Sequence, residues 1–281
     1  MSAYSLLALV SLAYFLQDAP RVMAQEEGRP IWEEEAMLIY SDSSAEFTRL
    51  RTFGRSNKRL GAYTEALDVL HGKIELEGGE EPYRYAQSLF RSLVAENDSD
   101  AIGLASLYYL ARIAQSNPIE QDMTVAKQLY YDLYLPNKDR FFGQMAFIKY
   151  ATMEIYDEQG EEPDVARRLS ELERMAASLS LPEIRRNFHR IAGEAYVHFD
   201  LDARAAFEHL ETAYEMGLPV ESIRIEVLEL LAELGEQVGE PRRALQAYNE
   251  LLLIDPRHER AEHFRSRARE LRRTLAVAGG K

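Results

Sequence analysis

The 281-residue chain contains no cysteine. That excludes disulfide staples, thiolate metal sites, a cysteine nucleophile and a lipid-modified N-terminal cysteine. Glycine and proline are scarce, 15 and 10 in all, too few to punctuate a fold of many short strands and tight turns. Positive charge is in deficit: 33 Lys and Arg stand against 47 Asp and Glu, a formal net charge of −14. An acidic surplus of that size repels phosphate backbones and anionic headgroups, so neither nucleic acid nor a membrane surface is an expected partner. A membrane-length apolar run is also missing. The uncharged stretch AYSLLALVSLAYFL, residues 3–16, would form a helix of ~21 Å, short of the ~30 Å hydrocarbon core. What is present suffices for folding: 46% hydrophobic and 28% charged residues place the chain among folded rather than disordered proteins.

The apolar stretch ends before Pro20, and Val22-Met23-Ala24 offers acceptable residues at −3 and −1 of a signal-peptidase site. Residues 1–24 therefore read as a signal peptide, the mature chain beginning at Gln25, with export, into a periplasm, as the expected localisation. No Lys or Arg precedes the apolar run. The competing reading is an apolar first helix of a cytoplasmic protein.

From residue 81 onward, apolar residues recur at helical spacing with short polar breaks. The pattern predicts helices at 81–96, 100–116, 121–135, 139–158, 163–179, 182–199, 203–216, 220–238, 241–254 and 258–276. Pro118, Pro136, Pro163, Pro182, Pro219, Pro241 and Pro256 all fall in or beside the breaks. Short breaks make consecutive helices antiparallel hairpins. Every second helix carries an alanine in a corresponding place, Ala86, Ala126, Ala166, Ala206 and Ala244, at intervals of 40, 40, 40 and 38. Four residues on lies Phe90, Tyr130, Ser170, Leu210 or Tyr248, and seven on lies Leu93, Leu133, Glu173, Ala213 or Leu251. Such a set shares one helix face: the small residue admits a neighbouring helix and the bulky one fills the gap beside it. Ser170 and Glu173 break the rule, so the third of these helices is expected to be shifted in register or more exposed.

The last complete unit resembles the tetratricopeptide repeat. Leu228, Leu231 and Ala232 occupy the first-helix positions, Gly239 the turn, Ala244 and Tyr248 the second helix, and Pro256 the close. The match covers about residues 225–258; where the family usually has an aromatic, this chain has Gly235. Upstream units are longer and resemble Sel1-like repeats as a second choice, through Asp122-Met-Thr-Val-Ala126-Lys-Gln-Leu-Tyr130. The resemblance implies an all-α fold, a right-handed α-solenoid of stacked antiparallel hairpins, with repeats over 60–258. Gly61-Ala-Tyr-Thr-Glu-Ala66-Leu67 looks like a turn followed by a second helix, but its 20-residue distance from Ala86 leaves the phase before residue 80 open. Residues 25–59, with Trp32, read as an irregular lead-in or cap. Residues 257–273 hold seven Arg and three Glu, and 259–276 suits a polar capping helix. Residues 277–281 read as a frayed tail.

Catalytic constellations are absent from the sequence. The six histidines, His71, His189, His198, His209, His258 and His263, never pair at i, i+3 or i, i+4, so no single helix presents two metal ligands. No glycine-rich phosphate loop, no Gly-x-Ser-x-Gly and no His-Glu-x-x-His occurs. No catalytic residue, metal or cofactor is therefore expected.

Two features suggest recognition. Glu226, Glu229, Glu233 and Glu236 are spaced 3, 4 and 3 and share one helix face. In the family resembled, these positions line the concave groove, where they would attract a basic partner segment. The alternatives are a solvated face, or pairing with the chain's own basic C-terminal helix. The second feature is aromatic density, ten aromatics between Tyr108 and Tyr156, read chiefly as gap-filling core. Adjacent residues diverge by about 100° on a helix, which makes Tyr109 a groove candidate and Tyr108 core. The expected function is a non-enzymatic interaction or scaffold protein holding a peptide or protein segment in its groove. A structural spacer or accessory subunit of an envelope assembly is the alternative, followed by an enzyme with dispersed active residues.

Overall fold

The computed structural model describes residues 31–40, 45–76, 81–157 and 164–279; the proposed leader 1–24 lies outside them. The described residues form thirteen α-helices and no strand. They divide into two compact units, residues 1–159 and 160–281.

In the first unit the helices are α1 (Ile31–Ala36), α2 (Ala45–Gly54), α3 (Lys58–Leu70), α4 (Pro82–Glu96), α5 (Ala101–Ser116), α6 (Met123–Tyr134) and α7 (Phe141–Ile155). The second unit holds α8 (Val165–Ala176), α9 (Pro182–His198), α10 (Ala203–Glu215), α11 (Glu221–Gln237), α12 (Pro241–Ile254) and α13 (Ala261–Gly279). The ten helices expected from periodicity are all present, their ends displaced by three residues at most. Local chemistry explains the starts. Side chains of Asn57, Glu81, Asp100, Asp122, Asp164 and Asp202 accept hydrogen bonds from first-turn amides, satisfying donors that have no partner inside the helix. Pro82, Pro182 and Pro241 open α4, α9 and α12, where the missing N–H costs nothing.

From α2 to α7 in the first unit and from α8 to α13 in the second, consecutive helices pack on one another as hairpins, the α-solenoid arrangement. In the first unit α5 also touches α3 on one side and α7 on the other, so these three form a layer, while α1 lies against α5 and α7. The small–bulky–medium sets are the interlock: Ala86, Phe90 and Leu93, Ala126, Tyr130 and Leu133, Ala206, Leu210 and Ala213, and Ala244, Tyr248 and Leu251 are all buried. The exception is α8. Ala166 and Ser170 are exposed, and the buried set sits one residue earlier at Val165, Leu169 and Leu172. The reason is visible in the residues: turning Ser170 and Glu173 inward would bury a hydroxyl and a carboxylate, whereas a rotation of one position buries three aliphatics.

One expectation is corrected. Gly61 does not mark a turn; it lies inside α3, where α2 approaches so closely that a Cβ would come within 2.8 Å of the Gly54 carbonyl oxygen. The segment expected to be an irregular lead-in, 25–59, contains α1, α2 and the first residues of α3. Gly235 stands where an aromatic was expected because α11 crosses α12 at close range, its absent Cβ lying 3.2 Å from Ala244 Cβ.

The forty-residue period extends to the turns. A Cβ on Gly103 would lie 2.1 Å from the Asn97 carbonyl oxygen, and one on Gly143 1.8 Å from that of Asn137. Both turns fold back over the first turn of the next helix, and backbone cannot yield there as a flexible side chain could. Gly143→Ala is expected to cost about 2 kcal/mol through overpacking, read as a lower urea midpoint at unchanged m-value; a midpoint equal to wild type would contradict this close approach.

Candidate functional site

In the first unit the face of the α3–α5–α7 layer carries a short helix and turn of the chain itself. Residues 31–40 make one short helix and a turn, then lie across the layer. Glu35 is fully buried. Its carboxylate accepts from Arg140 Nε at 2.5 Å and from the Phe141 amide at 2.7 Å, the latter at the start of α7. A carboxylate at a helix N-terminus meets both free amides and the positive end of the helix dipole. The backbone that follows is held too: Tyr63 Oη donates to the Leu38 carbonyl at 2.6 Å, and the Tyr40 amide donates to Tyr109 Oη at 2.9 Å. Leu38 and Tyr40 are buried, and the Tyr40 ring stacks on His71 with centroids 3.7 Å apart. The layer therefore grips a polypeptide by side chain, by main-chain donor and by main-chain acceptor.

Tyr109, expected to face a groove, is completely buried, and Tyr108 nearly so. The 100° divergence holds, but α5 is packed by helices on every side, so both directions lead into protein. Tyr109 stacks on Phe90 at 5.6 Å, meets Tyr63 at 6.2 Å and lies under the Arg112 guanidinium at 5.3 Å. Tyr108 reaches Tyr130 at 5.8 Å and Phe142 at 5.6 Å. The dense aromatics form a continuous interior seam.

In the second unit the glutamate stripe lies along α11, and three of its four members meet the following basic segment. Glu229 pairs with His258 Nε2 at 2.9 Å and with Arg260 at 3.2 Å. Glu233 pairs with Arg260, and Glu236 accepts from Arg267 Nε at 3.1 Å and from Tyr248 Oη at 2.9 Å. Although burial pulls the other way, the bonds from Arg267 and Tyr248 hold the Glu236 carboxyl below its ordinary range. Glu226 has no ion-pair partner among the described residues. Desolvation, then the neighbouring Glu194 carboxylate, push its carboxyl upward against the pull of Arg190.

A second cluster escaped sequence reasoning because its members are 20 and 36 residues apart, on three helices. His189 Nδ1 on α9 faces His209 Nδ1 on α10 at 3.1 Å; His209 Nε2 meets Glu173 Oε1 of α8 at 3.2 Å; Tyr196 Oη donates to the same oxygen at 2.7 Å. Burial first, then His209 and Arg185, lower the His189 pKa to about 4 against a weak opposing pull from Glu173. Among the described residues no group of three or more His, Asp or Glu is placed to hold a metal ion.

Two predictions follow from these geometries. Removing the Glu35 carboxylate leaves Arg140 and the α7 amides unsatisfied, so Glu35→Ala is expected to cost about 3 kcal/mol and to abolish hydrogen-exchange protection of the Tyr40 and Phe141 amides. Retained protection would show that the segment is held by its apolar side chains alone. In the unfolded chain His189 takes up its proton near pH 6.5, in the folded chain only near 4. Stability contributed by the neutral ring is thus full above pH 6.5 and is lost as pH falls toward 4. His189→Phe is expected to flatten the urea-midpoint profile over that interval; an unchanged slope would assign the acid sensitivity to carboxylates such as Glu236.

No protein-family model and no curated protein matches this sequence. Among solved structures, the chain is similar to a thermophilic tetratricopeptide-repeat protein of Thermus thermophilus, at 18% identity and a TM-score of 0.43, over 76% of this chain and 98% of that one.

Proposed function

We propose that this chain is a non-enzymatic binding protein whose α3–α5–α7 face receives a short helix-and-turn segment of another protein. The observation that supports this reading is residues 31–40 lying on that face. A surface that already holds a short helix and turn through Tyr63 Oη, Tyr109 Oη and an Arg140–Glu35 pair has the donors and acceptors to hold one of similar chemistry in trans. Main-chain bonds supply affinity and the pockets for Glu35, Leu38 and Tyr40 supply selectivity. The preferred segment then carries an acidic residue followed by two bulky apolar ones, as Glu35, Leu38 and Tyr40 do, rather than basic residues.

A basic partner on the second unit is the weaker reading. Glu229, Glu233 and Glu236 are engaged by Arg260 and Arg267, so a Lys- or Arg-rich segment would have to displace α13 and its approach before reaching them. Glu226 alone is unclaimed. The apolar stretch 3–16 and the Val22-Met23-Ala24 site support export of the chain; a mature N-terminus at Gln25 by mass spectrometry is the expected result, and an intact Met1 on the purified native protein would remove that part of the proposal.

The central test uses a fluorescent peptide with the sequence of residues 31–40. In full-length Glu35→Ala, where the resident segment is loosened, the peptide is expected to bind with saturable anisotropy. In wild type, where the face is occupied, binding should be at least tenfold weaker. Failure to bind the variant at any concentration up to solubility would sink the segment-receiving role.

A further inference from the structure

The two imidazoles that meet between α9 and α10 do so through like atoms. His189 Nδ1 and His209 Nδ1 stand 3.1 Å apart, and two nitrogen lone pairs at that distance repel unless something positive lies between them. In the metal-free chain that is a single shared proton. A metal ion meets the same need: two imidazole nitrogens bound to one tetrahedral Zn²⁺ at ~2.0–2.1 Å each are about 3.3 Å from one another, so the pair opens by only a few tenths of an ångström to admit it. The far side of His209 is arranged as it is behind a metal-bound histidine. His209 Nε2 meets Glu173 Oε1 at 3.2 Å, and Tyr196 Oη donates to the same oxygen at 2.7 Å. A carboxylate only accepts, so the proton of His209 sits on Nε2 and the Nδ1 lone pair points toward α9. Tyr196 stacks on the ring at 5.7 Å and Phe188 meets it edge-on at 6.3 Å, which holds that orientation. His189 and His209 are both partly exposed, so water reaches the space beside them.

We propose that His189 and His209 bind a transition-metal cation of the Zn²⁺ class through their Nδ1 atoms, with Glu173 as the positioning residue behind His209. Imidazole nitrogens select Zn²⁺, Cu²⁺ and Ni²⁺ over Mg²⁺ and Ca²⁺, which take oxygen ligands. Among the described residues no third His, Asp or Glu is placed to complete the shell. Water fills the remaining positions, and the ion is exchangeable rather than locked in a closed structural centre. Arg185, one turn before His189 on α9, acts against a bound cation, and the Glu173 charge offsets it in part. The ion joins α9 to α10 directly and engages α8 through Glu173. It escaped the search along single helices because its ligands come from two of them. The site lies in the second unit and does not rest on the segment-receiving role, which is read through Glu35 in the first.

The test is calorimetric titration of the chelator-treated full-length chain with Zn²⁺, with Mg²⁺ as control, together with nitrogen-15 spectra of the histidine rings. Wild type is expected to take up a single equivalent of Zn²⁺, to melt higher with it and to ignore Mg²⁺. Both Nδ1 signals should move to the ligated position while His209 Nε2 keeps its proton. His189→Phe and His209→Phe are each expected to weaken Zn²⁺ binding at least tenfold, and His263→Ala, on the exposed surface of α13, to leave it unchanged. Glu173→Gln is expected to weaken binding by about 10–100-fold with both Nδ1 atoms still ligated, a signature that general loss of structure would not preserve. Absence of Zn²⁺ uptake, equal affinity in wild type and both phenylalanine variants, or ligation through other histidines would overturn the proposal.

Discussion

A hairpin of two helices has one apolar face too many to stand in water, and in this chain the surplus is covered by the next hairpin. The contact depends on alanine. At Ala86, Ala126, Ala206 and Ala244 the side chain is small enough for a neighbouring helix to come close, and the bulky residue one turn later closes the space that remains. The turns follow from that closeness: Gly103 and Gly143 admit the backbone folding back over them because a Cβ would not fit. Where the residues at the interlock became polar, in α8, the helix turned by one position rather than bury them. Apolar burial, not the repeat pattern as such, sets the register.

Charge is organised around the same frame. The acidic surplus is met where arginine can reach it across a helix pair, as in Arg243–Glu211 and Arg267–Glu236. These contacts are partly solvated and contribute little each; their effect is to settle which helix lies beside which. The buried pair Arg140–Glu35 differs in kind. It draws a segment from the start of the chain onto a helix terminus far along it, and so turns a bare helical layer into one with a polypeptide lying on it.

Helix positions, the forty-residue period and the irregularity at Ser170 and Glu173 were legible along the chain. All are local: they depend on which residues lie three, four or seven apart, and a helix imposes that geometry wherever it forms. The stripe Glu226–Glu236 was likewise legible as a stripe. That Arg260 and Arg267 lie against it was only one of several readings, because a helix face does not state what it faces. Tyr109 shows the same limit: it is buried rather than open, its hydroxyl covered by the Tyr40 amide. Its direction relative to Tyr108 was right, but α5 has neighbours all round.

Sequence alone determined the class of element, its boundaries and the acidic, cysteine-free chemistry that excludes thiolate sites and disfavours phosphate-backbone partners. Tertiary structure alone decided which distant groups meet: Glu35 with Arg140 across 105 residues and His189 with His209 across 20. Backbone periodicity is fixed by bond geometry within a few residues. Partnership between side chains depends on how helices stack, and stacking is a sum over all their contacts that no short window of residues contains.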